Sequence, residues 1–296
     1  MPFITVMVDA SLIQLQETLM EIPPMKYTLL LIACLAALLP GCRSTLPVVP
    51  PLSSAALRPA LSNPDQSYFG LNGTKVFHIP GEMHTTVETR IAWMKEAGVS
   101  WDRADWWWHV IEPEQGRYDF SVPDRIADFM EDRGIQIYPI LCYGASWWKD
   151  HTAPLSDEDF EHFARYVFQT MSHYKGRFPC WSVWNEPNIP DFWKPAPKVE
   201  DYARLLQKTR EAARRADPEA LLCAPVIAPL GSWDKKFTVS LYQMGAADWF
   251  DIFDYHYYRS HAPEGEVPVE LADIRAVMCR FGDGEKPIWI SETGVA

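Results

Sequence analysis

The chain has 296 residues, of which 48% are hydrophobic and 22% are charged, so it can bury a substantial core and is not disordered along its whole length. Its net charge of -12 argues against a nucleic-acid partner, which would need a basic face. The 13 tryptophans have two interpretations, because an indole either packs in a core or, at a strand end, offers a flat platform to a sugar ring.

The N-terminal part of the chain lacks the pattern of a folded domain. Residues 25–42, MKYTLLLIACLAALLPGC, combine a lysine, a short apolar run and small residues before a cysteine, which is typical of a secretory signal and short for a membrane span. The ending LPGC resembles a bacterial lipobox, so we expect lipidation of Cys42 after cleavage; an uncleaved anchor helix is the alternative. Residues 1–24 are then interpreted as a mis-assigned start. Residues 43–66, rich in Pro and Ser, are predicted to form a tether.

These features predict a protein of the cell envelope, held by a lipid anchor at the outer membrane or on the periplasmic face.

From residue 67 to 296, strand-like and helix-like segments alternate. The first helix is marked by Thr85 and Glu88 in capping-box spacing and by Gly98 as a stop. Alternation of this kind predicts a parallel sheet built from βαβ units. Since no Gly-rich phosphate loop follows the first strand, the pattern favours an α/β fold of the (β/α)8 TIM-barrel type over a doubly wound sheet. The predicted strands are 68–72, 99–106, 135–144, 181–186, 221–226, 251–258 and 287–292.

Only seven strands can be counted before the sequence ends at Ala296. We therefore expect a barrel truncated after strand seven, with its C-terminal part missing. Such a barrel would have two open strand edges and an uncovered seam in its core.

Two of the predicted strands carry a glutamate at their C-terminal tips. WSVWNEP places Glu186 at the end of the fourth strand, and PIWISETG places Glu292 at the end of the seventh. Because the strand ends of such a barrel meet at one face, we expect both carboxylates at one site. Two facing glutamates are what glycoside hydrolysis needs, and the gap between them decides whether configuration is retained or inverted. The sequence leaves that gap open.

Residues 67–296 resemble clan A of the retaining (β/α)8 glycoside hydrolases, nearest the family of β-xylosidases, α-iduronidases and exopolysaccharide hydrolases, with cellulase-like families close behind. The motifs that carry the resemblance are Asn185-Glu186-Pro187, the tip glutamate Glu292, and Arg103 in SWDRADWWW. The resemblance implies that Glu186 is the acid/base and Glu292 the nucleophile, with Arg103 beside it. His256 and Tyr258, in DYHYY, match positions where the clan often has a His and a Tyr.

The chemistry explains these residue types. Arg103, always charged, would keep Glu292 ionised, and the negative Glu292 would in turn favour the protonated form of Glu186. Asn185 can donate to the sugar 2-hydroxyl. The predicted substrate-binding residues are Asn185, Arg103, His256, Tyr258, Trp147 and Trp148, the last two as sugar platforms just after the third strand.

Other polar residues have simpler interpretations. Glu112 and Glu114 are predicted to be solvated loop charges. His151, His162 and His173 form no convergent ligand set, so we predict neither a metal nor a cofactor.

Three functions remain open from the sequence. The leading hypothesis is a lipid-anchored retaining glycosidase that hydrolyses a polysaccharide or oligosaccharide by double displacement with two glutamates. The alternatives are a non-hydrolytic carbohydrate-binding lipoprotein of the envelope and a structural envelope protein that uses the barrel only as a scaffold.

Overall fold

The computed structural model describes residues 4–6, 69–72, 87–148, 153–229, 233–259 and 266–295. The chain divides into two units: Met1–Ala10 together with Ser67–Ala296, and Ser11–Gln66. The second unit, with the predicted signal, the tether and Cys42, lies outside the described residues. Among the helices that are described, none is long and apolar enough to cross a membrane.

Seven strands run parallel, each hydrogen-bonded to the next along the chain. The predicted (β/α) barrel with seven parallel strands is thereby confirmed. With a short preceding strand, the strands are β1 (Ile4–Val6), β2 (Phe69–Leu71), β3 (Trp101–Trp107), β4 (Gln136–Cys142), β5 (Cys180–Val183), β6 (Leu221–Ile227), β7 (Ile252–Arg259) and β8 (Ile288–Val295).

Helices follow the strands and cover the barrel. They are α1 (Val87–Glu96), α2 (Trp108–Ile111), α3 (Ser121–Glu131), α4 (Asp157–His173), α5 (Val199–Ala216), α6 (Lys235–Gln243) and α7 (Glu266–Arg280). Helix α4 begins at a capping box in which the Ser156 side chain accepts from the Asp159 N–H and the Asp159 carboxylate accepts from the Ser156 N–H. Its buried face includes Phe160, Phe163 and Val167, spaced as a helix requires.

The edges of the parallel sheet differ from the prediction. We expected two open edges, but β1 pairs antiparallel with β2 over all three of its residues and with β8 at Ile4 and Thr293, so that the strands form a closed barrel. This short strand comes from residues 1–24, which were predicted to lie outside the fold. The physical reason is that edge strands present unpaired N–H and C=O groups, which any extended segment can satisfy.

Most of the tryptophans belong to the core. The largest fully buried side chains include Trp106, Trp108, Trp181, Trp184 and Trp193. Strand β4, QIYPILC, is buried at six of its seven positions, as expected of a parallel strand covered on both faces. The packing interpretation therefore holds for most indoles of the described residues.

Backbone strain is concentrated at the carboxyl ends of three neighbouring strands. Tyr143 follows β4, Trp184 and Glu186 follow β5, and Val226 lies at the end of β6; all four have positive φ, between 45° and 69°. For residues with a Cβ this region is unfavourable, and such residues persist only where the surroundings hold them. The strained rim coincides with the face at which sites form in this fold.

Candidate active site

The two strand-tip glutamates face each other across the barrel mouth. Glu186 directly follows β5. Glu292 was predicted to end its strand, but β8 continues past it to Val295, paired with β7, so Glu292 lies within β8. One oxygen of each carboxylate and one ring nitrogen of His256 all lie within 4.8 Å of one another. The side chains of both glutamates are 11% exposed, so each is mostly removed from water while still open to a ligand.

Glu292 is held by side chains that lie on, or directly after, three other strands. The guanidinium of Arg103, on β3, donates to Oε1, as does Nδ2 of Asn72 at 2.9 Å. The hydroxyl of Tyr258, on β7, donates to Oε2 at 2.7 Å. Asn72 was not predicted as a site residue. It follows β2 directly, so the signal that could have found it is a polar residue at the tip of the first parallel strand.

Electrostatics keep Glu292 ionised. Burial alone would raise the pKa of Glu292, but the charges of His256 and Arg103 and the hydrogen bonds from Tyr258 and Arg103 outweigh burial and hold the pKa below its ordinary value of 4.5. The pKa of Arg103 moves the other way: burial would lower it, yet the charges of Glu292 and Asp254 raise it. The two partners thus stabilise each other's charged forms.

His256 joins the two glutamates. Its Nδ1 lies 2.7 Å from Oε1 of Glu186 and 3.5 Å from Oε2 of Glu292. We predicted a substrate-binding role for His256, but its side chain is fully buried. The inner position of His256 on β7 brings it to both carboxylates, and its substrate-binding role stays a prediction.

Asn185 connects the tip of β5 to Arg103. Its Oδ1 accepts a hydrogen bond of 3.0 Å from Nη2 of Arg103, and the side chain is buried. Because the oxygen points to the guanidinium, Nδ2 is the end of the amide turned toward other partners. Arg103 therefore contacts Glu292 and Asn185 at once and fixes them relative to each other.

A third carboxylate lies close to Arg103. Asp254 is fully buried on β7 and accepts a hydrogen bond of 2.6 Å from the hydroxyl of Tyr138. Burial raises the pKa of Asp254, although the charge of Arg103 lowers it. Asp254, His256 and Tyr258 alternate along the strand, so the sequence DYHYY carries three inward-facing polar groups, of which only two were predicted.

The indole N–H groups of Trp147 and Trp148, which were predicted as sugar platforms, both donate to protein acceptors, and for half-buried Trp147 the platform role stays a prediction. The indole N–H of Trp148 donates to Oδ1 of Asp159 at 2.7 Å, and its ring lies 5.3 Å from that of Trp108. Trp147 donates to the carbonyl of Glu112 at 2.8 Å and packs edge-on against Trp108. Trp148 is buried, so the sugar-platform prediction is wrong for it. Its ring packs in the core because its indole N–H is hydrogen-bonded to Asp159 in the first turn of α4.

Glu112 also differs from its prediction. It was expected to be a solvated loop charge, but it is 3% exposed and accepts from the Trp108 indole N–H at 2.6 Å and from the Gly116 N–H at 2.7 Å. Glu114 is exposed and pairs with Arg117, as a loop charge does.

A different pair of aromatic rings contacts Trp184, the residue that follows β5. Tyr143 and Phe192, both half-buried, stack with their ring centroids 6.1 Å apart and their planes at 17°. Tyr143 also contacts Trp184 edge-on at 5.6 Å, and the Trp184 indole donates to the Phe192 carbonyl at 3.1 Å. Since Trp184 directly precedes Asn185, these rings form a wall next to the tip of β5.

Glu186, His256 and Glu292 are also the one group of potential metal ligands found among the described residues. The Arg103 cation already contacts Glu292 and would repel a second cation there. The charge balance therefore favours the ion pair, and we assign no metal to this site.

Comparison with known proteins agrees with the fold and the resemblance. Residues 80–147 match the glycoside hydrolase 42 family, described as β-galactosidase. A β-xylosidase from Geobacillus stearothermophilus is 28% identical over 166 residues, which are 49% of this chain and 32% of that enzyme. A β-1,4-xylanase from Dictyoglomus thermophilum is 28% identical over 124 residues, 39% of this chain and 34% of that enzyme. The matches thus span about a third of these relatives' length.

Solved structures show the same barrel. A GH39 enzyme from Xanthomonas axonopodis pv. citri aligns with a TM-score of 0.60 at 19% identity, over 76% of this chain and 49% of that one. A GH39 β-xylosidase from Caulobacter crescentus aligns with a TM-score of 0.54 at 18% identity, over 71% of this chain and 50% of that one. The relatives and structural neighbours are glycoside hydrolases, and the predicted resemblance to the clan A (β/α)8 enzymes is confirmed.

Proposed function

We propose that the chain is a retaining glycoside hydrolase acting by double displacement on xylan-like polysaccharides or oligosaccharides. The observation that supports this most is the approach of the two strand-tip carboxylates, with an oxygen of Glu186 within 4.8 Å of an oxygen of Glu292. Carboxyl groups about 5–5.5 Å apart are typical of retaining enzymes, whereas about 6.5–9.5 Å leaves room for a water in inverting ones.

In the first step, Glu292 attacks the anomeric carbon and forms a glycosyl ester. Its charge is secured by Arg103, Asn72 and Tyr258, so the nucleophile is ready without a proton transfer. Protonated Glu186 gives its proton to the glycosidic oxygen, which leaves as an alcohol. Nδ2 of Asn185 donates to the sugar 2-hydroxyl, a contact that strengthens in the transition state.

In the second step, the roles of Glu186 change. Once Glu292 is esterified its negative charge is gone, so ionised Glu186 can take a proton from water. The hydroxide attacks the anomeric carbon, Glu292 leaves as a carboxylate, and the second inversion restores the original configuration. The hydrogen bond from His256 Nδ1 to Oε1 orients Glu186 in this ionised state.

The substrate class is proposed from the relatives. Two of them are named β-xylosidase and β-1,4-xylanase, so xylo-oligosaccharides and xylan are the first substrates to test. Since every relative and structural neighbour described above is a hydrolase, nothing favours the non-hydrolytic carbohydrate-binding protein over the enzyme.

The experiment is to follow hydrolysis of an aryl β-xyloside and of xylobiose by proton NMR. Retention is expected, with the β-anomer of xylose appearing first. Glu292→Ala should lose about 10⁴- to 10⁶-fold in kcat because the nucleophile is gone. Glu186→Ala should keep cleavage of an activated aryl xyloside and, with azide, release the β-xylosyl azide.

Glu114→Ala is the matched control, because Glu114 is an exposed carboxylate paired only with exposed Arg117. It should leave kcat and KM unchanged. Initial release of the α-anomer, or activity that survives Glu292→Ala, would overturn the retaining mechanism. No hydrolysis of any glycoside by the unaltered protein would overturn the proposal as a whole.

We also propose a lipid-anchored location in the cell envelope, on the basis of the signal and lipobox patterns in residues 25–42. Cys42→Ser should release the protein from the membrane fraction. Fractionation of cells expressing the full chain measures this, and an unchanged membrane fraction would contradict the anchor.

A further inference from the structure

The loop that carries Glu186 is joined to the end of β6 by the side chain of Asn188. Its Oδ1 accepts from the Ala228 N–H at 2.8 Å, and its Nδ2 donates to the Ala228 carbonyl at 3.0 Å. The amide thus pairs with one backbone unit in both directions, as a neighbouring strand would. Asn188 is 7% exposed, so these hydrogen bonds are shielded from water.

Asn188 also reaches the start of α6. Its Nδ2 lies 3.4 Å from Oδ2 of Asp234, whose other carboxylate oxygen accepts from the Phe237 N–H at 3.0 Å and caps the helix. One buried side chain therefore connects the loop after β5, the end of β6 and the N-terminus of α6.

This connection lies over two strained residues that face each other. Glu186 has φ of 45° and Val226 has φ of 52°, and the Glu186 N–H donates to the Val226 carbonyl at 2.9 Å. The pairing of β6 with β7 shifts register between Pro225 and Ile227, so Val226 is the extra residue of a bulge. Positive φ is sterically unfavourable for both Val226 and Glu186, so either residue would lower its energy by returning to negative φ. Contacts from the surrounding residues must therefore hold both in this conformation.

We propose that Asn188 is a positioning residue for the acid/base function of Glu186. Its paired hydrogen bonds to Ala228 keep the Glu186 loop in register with the β6 bulge, and so keep the Glu186 carboxylate aimed at the glycosidic oxygen. This inference rests on the proposed function and deepens it. Without the connection, Glu186 relaxes toward a favourable φ and its carboxylate moves, while Glu292, held from other strands, stays in place.

The dependence of the rate on the leaving group distinguishes a misplaced Glu186 from a partly unfolded protein. Formation of the glycosyl ester from a poor leaving group needs the proton of Glu186, but formation from an activated leaving group does not. Misplacement of the acid therefore lowers kcat/KM in proportion to the basicity of the leaving group. A variant that is only partly folded loses the same factor on every substrate.

The experiment compares phenyl β-xyloside with dinitrophenyl β-xyloside in Asn188→Ala. We expect kcat/KM to fall about 10- to 100-fold on the phenyl substrate, since misplacement by about 1 Å costs this much, and less than about threefold on the dinitrophenyl substrate. On the dinitrophenyl substrate kcat should also fall, because water attack needs the base, and azide should restore it. Asn188→Ser keeps a small hydrogen-bonding group without adding a charge beside the Asp234 carboxylate, and should lose less.

Asp217→Ala is the matched control. Asp217 is a buried side chain that likewise accepts from a backbone N–H, that of Gly176 at 2.8 Å, but it lies in the connection between α5 and β6, at the opposite end of the barrel. It should destabilise the fold without leaving-group dependence.

Equal losses on both substrates, or no loss in Asn188→Ala, would overturn the positioning role while Glu186→Ala still shows leaving-group dependence. If Asn188→Ala does not fold, the same comparison is read in Asn188→Ser. An unaltered protein with no activity on either xyloside would overturn the proposed function, and this inference with it.

Discussion

Strands β8 and β5 hold their glutamates in different ways. Glu292, at β8, receives hydrogen bonds from Asn72, Arg103 and Tyr258, each of which comes from a different strand or strand end. Glu186, after β5, is oriented by His256 and by a backbone held at positive φ. The first carboxylate is fixed by side-chain charge and hydrogen bonds, and the second is fixed mainly by its own chain.

This difference matches the two chemical tasks that we propose for these residues. A nucleophile should keep one charge state, and several donors around it lower its pKa. An acid/base must gain and lose a proton in every cycle. Several cations around it would favour the ionised form and so disfavour the step in which it donates a proton. Placement by the backbone fixes direction without fixing charge. Stability and pH dependence should therefore respond strongly to changes around Glu292.

The largest effect is expected from Arg103→Leu, which removes the cation beside Glu292. Removing one partner of a buried ion pair costs about 3–5 kcal/mol, because the other charge is left unpaired. We expect a loss of this size in the free energy of unfolding at pH 7, measured by urea denaturation. Activity on aryl xylosides should also fall, because Asn185 loses its partner.

The sign of the pH dependence sharpens this prediction. In the unaltered chain the pKa of Glu292 is below its ordinary value of 4.5, so its stabilising contribution is complete above that pH and is lost as the pH falls through the lowered pKa. Without Arg103, burial should dominate and Glu292 should destabilise the fold at neutral pH. The difference in the free energy of unfolding between the unaltered chain and Arg103→Leu should become smaller as the pH is lowered and Glu292 is protonated. Arg103→Leu combined with Glu292→Leu should recover much of the stability; a loss that is additive would contradict the pairing.

A smaller effect is expected from Tyr258→Phe. The variant loses the 2.7 Å hydrogen bond to Oε2 of Glu292, which favours the ionised carboxylate. The pKa of Glu292 should rise, since the hydrogen bond that favours its ionised form is lost. The acid limb of the kcat/KM profile should move upward by the same amount. Tyr257→Phe, on the other side of the strand, is the control and should leave the limb unchanged.

The sequence was sufficient for the strand order and for the two glutamates. An apolar strand that ends in a carboxylate followed by strand-breaking residues is a local pattern, and the fold brings such ends together. The contacts of His256 were not predictable, because they depend on how far β7 lies from β5 and β8. Asn72 ends the predicted first strand, 68–72, and was missed because only carboxylates at strand ends were taken as site candidates.

The aromatic residues show the other limit of sequence reasoning. Trp147 and Trp148 follow a strand, as a sugar platform would, but Trp148 is captured by Asp159 in the first turn of α4. That capture depends on a capping box in a helix that begins several residues later. Tyr143 and Phe192 meet only because the chain after β5 folds back toward the end of β4, which no local pattern indicates.

The smallest effect is expected at these rings, and it tests where the sugar is held. If the wall next to the tip of β5 contacts the substrate, Phe192→Ala should raise KM for xylobiose about five- to tenfold, because an aromatic contact contributes about 0.5–1.5 kcal/mol beyond its buried area. Trp148→Phe should leave KM unchanged and lower the unfolding temperature, since it removes the hydrogen bond to Asp159 inside the core. The opposite result, a raised KM in Trp148→Phe with no change in Phe192→Ala, would return the platform to the position that the sequence predicted. In that case the sugar would be bound by residues after β4 and not by the rings of this wall. The difference between Glu186 and Glu292 would then affect the chemical steps but not substrate binding.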